Sequence, residues 1–358
     1  MRIAILVDAL MNRGGVERMM LEIAKHYNAD IYAGIYKLES TFPEFKDVKV
    51  TSLVSTKLPG SIRTLKLWYE FSKLKLDYDF YLMCGSGSLN AAKNNKPNIW
   101  YCTAPSRYLY DLHENEMKYQ KWPKRELFKI ITNHLRKRDQ SNMKNIGRII
   151  SISKNTHARV KKYYSRDSDI VYPFVDVSKY RYIETGDFYL SAARLDRIKR
   201  VDLIINAFKK IPDKKLVIVS DGPEKNSLVS LASGCANISF SGYVSEEKLK
   251  ELYGKCIATI YLSYKEDFGL IPIEGNAAGK PCIATNDGGF RETIQHKKTG
   301  YLVDEPENTK QVVEALNWMS KERSVSMKEV CIRQSKKFSQ KKILKQIDNL
   351  IELSSNQG

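Results

Sequence analysis

The stretch Phe188-Tyr-Leu-Ser-Ala-Ala-Arg194-Leu-Asp-Arg-Ile-Lys199-Arg-Val-Asp-Leu-Ile-Ile-Asn-Ala-Phe208 decides the fold. Its first five residues form a short run of strand type, the polar loop Ala193–Arg200 follows, and a helix comes after it. A strand feeding a helix through a short loop is the building unit of a parallel sheet with helices on both faces. Arg194 and Lys199 stand five residues apart in that loop, at the strand's carboxyl end. Arg can bind oxygens bidentately and Lys is a compact point charge, so the two suit a diphosphate. A solvated basic loop would carry the same residues.

Reading outward, the unit repeats. Upstream, strands are expected at Arg2–Val7, Asp30–Ile35, Asp79–Cys84, Ile99–Cys102 and Arg148–Ile152, with a helix at Val16–His26. Downstream they are expected at Leu216–Val219, Ile238–Phe240, Ala258–Leu262, Pro281–Ala284 and Tyr301–Val303. The fold class is therefore α/β, with two doubly wound, Rossmann-like domains. The polar stretch Tyr172–Asp187, holding Pro173 and Gly186, is the expected linker, and Ser339–Leu353 is a final helix that could pack on either domain. Ligands of such sheets bind beyond the carboxyl ends of the strands, which places the chemistry between two facing domains.

With 358 residues, the chain has length for two domains. Hydrophobic residues at 42% and charged residues at 28% exclude a disordered or collagen-like chain. The 59 Lys and Arg against 41 Asp and Glu give a formal charge of +18. Residues 1–175 carry +13 of it, which calls for an anionic partner: nucleic acid, an anionic membrane surface or a phosphorylated substrate. No run approaches the roughly 18–20 apolar residues of a membrane span, and the N-terminus lacks a signal peptide's core and cleavage site. The six cysteines have no C-x-x-C spacing and read as reduced core residues of a cytoplasmic protein.

The loops after the strands carry the other candidate residues. Gly14-Gly15 opens the first helix, where backbone can approach an anion closely; an ordinary tight turn would look the same. Asp221-Gly222-Pro223 and Ser241-Gly242-Tyr243-Val244-Ser245 make short strand-to-helix connections. In Ser263-Tyr-Lys-Glu266-Asp-Phe268-Gly269-Leu270-Ile-Pro-Ile-Glu274, the first Glu lies in a loop and the second inside a helix starting near Leu270. Carboxylates accept paired sugar hydroxyls well, and Gly269 at the helix start can offer amides to a phosphate. Glu274 stands between Ile273 and Ala277-Ala278, an awkward place for an idle charge.

These residues resemble the retaining, nucleotide-sugar-dependent glycosyltransferases of the GT-B fold, family 4, with its Glu266-x7-Glu274 spacing. Ala193-Arg194-Leu195 with Lys199, Asp221-Gly222-Pro223, Ser241-Gly242-Tyr243-Val244 and Asn286-Asp-Gly-Gly-x-x-Glu292 fall in that family's order, and Gly14-Gly15 matches its N-terminal loop. The resemblance implies an acceptor-binding domain over 1–173, a nucleotide-sugar domain over 174–337, and a helix over 338–358 packing back on the first. It implies that Arg194 and Lys199 bind the donor diphosphate, Glu266 the sugar hydroxyls and Glu274 the ribose. Gly15, Gly222, Phe268, Gly269 and Leu270 would also contact the donor, with Tyr243 and Val244 near the base. Tyr101–Asp111 is similar to a stretch of mannosyltransferase-like members, which carry His and Thr where this chain has Thr103 and Ala104; Arg107 and Asp111 are retained as acceptor or cleft contacts. The implied activity is transfer of a hexose, with GDP-mannose as donor, to a glycan or lipid-linked saccharide, with the nucleotide sugar as co-substrate and without metal or other cofactor.

Rival readings are weaker. Asp77-x-Asp79 and Asp167-x-Asp169 sit before strands, at the amino edge, and read as turn acids rather than metal ligands. Gly85-x-Gly87-x-x-Asn90 imitates a dinucleotide fingerprint but lacks its third glycine. A nucleotide-sugar epimerase of similar fold is the enzymatic alternative. A basic nucleic-acid-binding protein is the other, although no such motif is present. The basic stretches Lys118–Lys144, expected as one amphipathic helix, and Ile62–Leu76 instead suit an anionic lipid surface, with peripheral attachment at the inner face of the cell membrane; ordinary core helices with solvated faces would carry the same residues.

Overall fold

The computed structural model describes residues 1–58, 60–119 and 121–355. Its strands are β1 Ile3–Leu10, β2 Asp30–Tyr36, β3 Val50–Ser52, β4 Phe80–Cys84, β5 Asn98–Cys102, β6 Arg148–Ser151 and β7 Asp169–Ile170. After these come β8 Phe188–Ser191, β9 Lys215–Val219, β10 Ile238–Gly242, β11 Thr259–Tyr261, β12 Cys282–Thr285 and β13 Gly300–Val303. β1 to β7 form one sheet in the order β3-β2-β1-β4-β5-β6-β7, and β8 to β13 a second in the order β10-β9-β8-β11-β12-β13. Every strand pair in both is parallel.

Strands buried on both faces have unbroken apolar sequences, and β1 shows it: Ala4, Ile5 and Leu6 are fully buried. The edge strand β10 alternates half-buried and exposed residues instead. Helices of the first sheet are α1 Gly15–Tyr27, α2 Gly60–Lys73, α3 His113–Tyr119, α4 Lys124–Asn142 and α5 Lys154–Tyr164. The second sheet has α6 Val201–Phe208, α7 Lys225–Leu231, α8 Glu246–Lys255, α9 Ile271–Ala277, α10 Phe290–Thr293, α11 Thr309–Trp318 and α12 Lys321–Ser335, and α13 Gln340–Ser355 ends the chain.

The chain divides into two units: Met1–Tyr172 together with the chain from Leu344 onward, and Pro173–Ile343. Asp348 of α13 accepts hydrogen bonds from the Tyr27 hydroxyl at 2.6 Å and the His26 ring at 3.0 Å. Asn356, Gln357 and Gly358 of the expected closing segment lie outside the described residues, as does Gln120 of the basic stretch. Among the described residues no helix is long and apolar enough to cross a membrane.

One expectation is corrected. Lys118–Lys144 is not a single helix but the end of α3 and all of α4, parted before Pro123. Proline lacks the N–H a helix interior needs and disfavours helical backbone at the preceding residue, here Trp122. The β1 strand also runs three residues past Val7, through Asp8 to Leu10.

Strand order in the first sheet reverses between β1 and β4. There the Gly85–Asn90 loop wraps a side chain: the Asp8 carboxylate accepts from the Gly87 amide at 2.9 Å and the Ser88 amide at 2.7 Å. Gly85 has φ +99, and a Cβ on it would lie 2.4 Å from the Asp8 carboxyl carbon. Burial pushes Asp8 up to about 6, against the pull of those amides. The donors that a dinucleotide's pyrophosphate would need are thus occupied by the protein's own carboxylate, which disposes of the fingerprint reading. At the Gly14-Gly15 turn, likewise, a Cβ on Gly14 would meet the Glu17 carboxylate at 2.7 Å. Asp79 accepts from the Arg2 backbone at 2.6 Å, and Asp169 pairs with Arg148 at 3.1 Å. Among the described residues no three His, Cys, Asp or Glu side chains gather as a metal site.

Candidate functional site

In the second unit the strand order reverses between β8 and β11, which is where a doubly wound sheet opens a crevice at its carboxyl edge. The loop leaving β8 carries Arg194 and a single 3₁₀ turn, Arg197–Lys199. The Asp196 side chain caps that turn by accepting from the Lys199 amide at 3.2 Å. The loop leaving β11 carries Glu266. The two loops are pinned together where the Tyr264 amide donates to the Ile198 carbonyl at 2.9 Å.

This pinning brings Lys199 and Glu266 into contact: Lys199 Nζ donates to Glu266 Oε2 at 2.9 Å. The Tyr261 hydroxyl donates to the same oxygen at 3.3 Å, and the Lys199 ammonium lies 5.1 Å from the Tyr261 ring centroid. The Lys199 and Glu266 side chains are 22% and 19% exposed, so both are accessible but sheltered. Burial alone would push the Glu266 carboxyl up; the Lys199 charge and hydrogen bonds from Lys199, Ser263 and Tyr261 outweigh it and hold the group below its ordinary value. Glu266 is consequently an ionised acceptor at neutral pH, and Lys199 is a fixed cation beside it.

Neighbouring loops close in through glycine. The Leu195 amide donates to the Asp221 carbonyl, and a Cβ on Gly222 would fall 2.2 Å from the Leu195 carbonyl oxygen. The Gly289 amide donates to the Glu266 carbonyl at 2.9 Å. Gly288, at φ +55, leaves no space for a Cβ, which would sit 2.1 Å from the Glu266 carbonyl oxygen. Gly288→Ala is therefore expected to displace the Glu266 loop and destabilise the second unit by about 2 kcal/mol or more, read as a lowered urea midpoint. A midpoint equal to that of the wild type would show that the loop yields freely.

Glu274 lies in α9 and is half-buried. Its Oε2 accepts from the Tyr253 hydroxyl of α8 at 2.6 Å, and Tyr253 is itself fully buried. Gly269, at φ +87, lies against the Phe290 ring, and Leu270 caps the helix. Phe268 is buried edge-on to Phe338, with ring centroids 5.6 Å apart. Arg194 is exposed, and Tyr243 is 70% exposed, with Val244 half-buried beside it. Sequence reasoning passed over Tyr261 and Tyr253, the hydroxyls that orient the two carboxylates. Nothing in their local sequence distinguishes them from core tyrosines.

In the first unit, Arg107 and Asp111 meet at 3.2 Å, four residues apart in the turns before α3. Asp111 also accepts from Arg159 at 2.8 Å, a partner from α5 that sequence spacing could not indicate. Two arginines on one carboxylate make Asp111 a clamp between segments as well as a candidate contact.

Residues 177–338, which contain Lys199, Glu266 and Glu274, match the family model described as glycosyl transferases group 1. Among curated proteins, N-acetyl-alpha-D-glucosaminyl L-malate synthase of Bacillus anthracis is 32% identical over 177 residues, covering 44% of this chain and 45% of that protein. Alpha-1,3/1,6-mannosyltransferase ALG2 of Saccharomyces cerevisiae is 28% identical over 200 residues, covering 42% of this chain and 40% of that protein. The chain thus matches less than half the length of these relatives. Among solved structures, Anabaena HepE in complex with UDP and glucose aligns with a TM-score of 0.75 at 16% identity, covering 98% of this chain and 99% of that one. A likeness at that identity shows a shared fold.

Proposed function

From the premise that residues 177–338 belong to the glycosyl transferases group 1 family, we propose that the protein is a retaining glycosyltransferase that moves a hexose from a nucleoside diphosphate sugar to a glycan or lipid-linked saccharide. The observation that carries this reading is the Lys199–Glu266 pair at the second sheet's switch point, with Glu274 presented from α9. Breaking the sugar–phosphate bond leaves added negative charge on the diphosphate while positive charge develops at the anomeric carbon. Lys199 and Arg194 stabilise the first charge as preorganised cations. Glu266 accepts hydroxyls of the donor sugar, and Glu274, oriented by the Tyr253 hydroxyl, takes the ribose. Both carboxylates are committed to hydroxyls, so neither serves as a glycosidase-type nucleophile. Configuration is retained by same-face attack, with the departing diphosphate oxygen taking the acceptor's proton, and no metal is needed.

Gly15, Gly222 and the Phe268–Leu270 turn offer backbone to the donor, and Tyr243 with Val244 lies beside the base. The donor is read as GDP-mannose, a reading supported by the mannosyl activity in the name of the yeast relative. The glucosaminyl group in the name of the bacterial one and the UDP and glucose held by HepE make UDP-sugars the comparison. A calorimetric panel of GDP-mannose, UDP-glucose and UDP-N-acetylglucosamine tests it. GDP-mannose is expected to bind tightest, and Glu274→Ala to weaken it by about ten- to a hundredfold, the worth of a hydrogen bond to a charged group. Unchanged affinity in that variant would remove Glu274 from the donor site, and an inverted product anomer by NMR would sink retention.

A further inference from the structure

The first unit holds a second feature, built by the basic stretch that parts into α3 and α4. α3 and α4 flank an open surface pocket of about 520 Å³ lined by His113, Glu114, Met117, Lys118, Arg125, Lys129, Asn133 and Arg136. On α4 the contributing positions 125, 129, 133 and 136 follow helical spacing, so they share one face. Four of the lining side chains are cations and one, Glu114, is an acid. Among the described residues, Lys118, Arg125, Lys129 and Arg136 form no ion pair. Arg136 is fixed nonetheless: its guanidinium donates twice to the Leu109 carbonyl, at 2.8 and 2.5 Å, so its charge is held in place without being neutralised. The His113 ring stacks on Phe128 and bonds Thr132 at 2.9 Å, giving the pocket a packed wall.

The surroundings identify the anion's source. Residues 121–138 carry seven Lys or Arg against a single acid, Glu126. Amid these cations Trp122 is 81% exposed, Leu127 58% and Ile130 67%. Unsatisfied cations alone would suit any polyanion. Exposed Trp, Leu and Ile beside them gain nothing from a nucleic-acid backbone or free phosphate, but they fit the headgroup–acyl boundary of a bilayer.

We infer that the α3–α4 pocket binds the phosphate of an anionic glycerophospholipid while Trp122, Leu127 and Ile130 enter the bilayer surface around it. This inference draws nothing from the second unit's chemistry, so the two stand or fall separately.

Vesicle co-sedimentation of the full chain tests it, using phosphatidylcholine vesicles with and without phosphatidylglycerol. Binding is expected only with phosphatidylglycerol, and it should weaken steeply as salt is raised. K118A/R125A/K129A is expected to lose about a hundredfold in vesicle affinity, roughly fivefold per cation. W122A/L127A/I130A should lose about tenfold or more through the apolar contribution. Urea midpoints and nucleotide-sugar binding, measured on the same variants, should match the wild type, which separates loss of the surface from loss of the fold or of the donor site. Vesicle affinity unchanged in the cation variant would overturn the proposal. So would binding to pure phosphatidylcholine, or binding of inorganic pyrophosphate or RNA at the same salt with no vesicle binding.

Discussion

Lys199→Ala is expected to lower sugar transfer by about a hundred- to a thousandfold, the usual loss when one preorganised charge facing a developing anion is removed. It is also expected to destabilise the second unit, because Glu266 would keep Tyr261 and Ser263 but lose the ammonium that pairs with it. Breaking a buried pair costs about 3–5 kcal/mol; with both groups about one-fifth exposed, water offsets part of that, and roughly 2 kcal/mol is expected. The pair's sign with pH follows from Glu266 being held below its ordinary value. Its stabilisation is present at neutral pH and is lost as pH falls through the lowered value. The double variant K199A/E266Q separates the two roles. Removing the stranded charge should restore most of the urea midpoint, while transfer stays low because Arg194 alone is left to face the diphosphate. If transfer returned with stability, Lys199 would be only a structural partner of Glu266.

That double role was half visible in the sequence. Loop positions were legible because each follows an apolar run and precedes a helix, and the pattern fixes which end of the sheet they occupy. Arg194, Lys199, Glu266 and Glu274 could therefore be assigned to one edge from spacing alone. What spacing could not convey is that Lys199 and Glu266, 67 positions apart, neutralise each other across the β8–β11 junction. Such pairing depends on strand order, and strand order is a property of crossovers rather than of any local segment. The two orienting tyrosines were hidden for the same reason. Tyr253 and Glu274 meet only because α8 packs beside α9, and an aromatic at a helix's buried position reads as core until its hydroxyl has a partner. The break between α3 and α4 was readable, since Pro123 was in plain view. The amphipathic charge pattern on either side masked it. That the loop after β4 merely imitates a phosphate site was readable from its missing third glycine, but not that its amides grip Asp8.

A buried acid held by two tyrosine hydroxyls makes the remaining strong prediction. Asp139, in α4, is fully buried, and its Oδ2 accepts from the Tyr110 hydroxyl at 2.8 Å and the Tyr164 hydroxyl at 2.7 Å. Tyr110 is itself stacked on Tyr163 at 4.5 Å, and Tyr164 stands edge-on to Trp100 at 5.5 Å, so both donors are fixed by packing. Burial pushes the carboxyl up to about 6, and the two hydroxyls only partly oppose it. In the unfolded chain the same group titrates near its ordinary value of 3.8. Between those values the folded state binds the extra proton, so this group's contribution to stability falls as pH rises from about 4 to 6. The loss is about 3 kcal/mol, two pH units of differential ionisation in a site water does not screen. Asp139→Asn keeps an acceptor for both tyrosines and removes the ionisation. Between pH 4 and 7.5 the difference in unfolding free energy between variant and wild type is expected to move by about 2.5 kcal/mol in the variant's favour. The difference cancels every other carboxylate, which titrates alike in both chains. A difference that stayed flat over that range would mean Asp139 titrates in the folded protein as it does in water, and that its two hydroxyls fully offset burial.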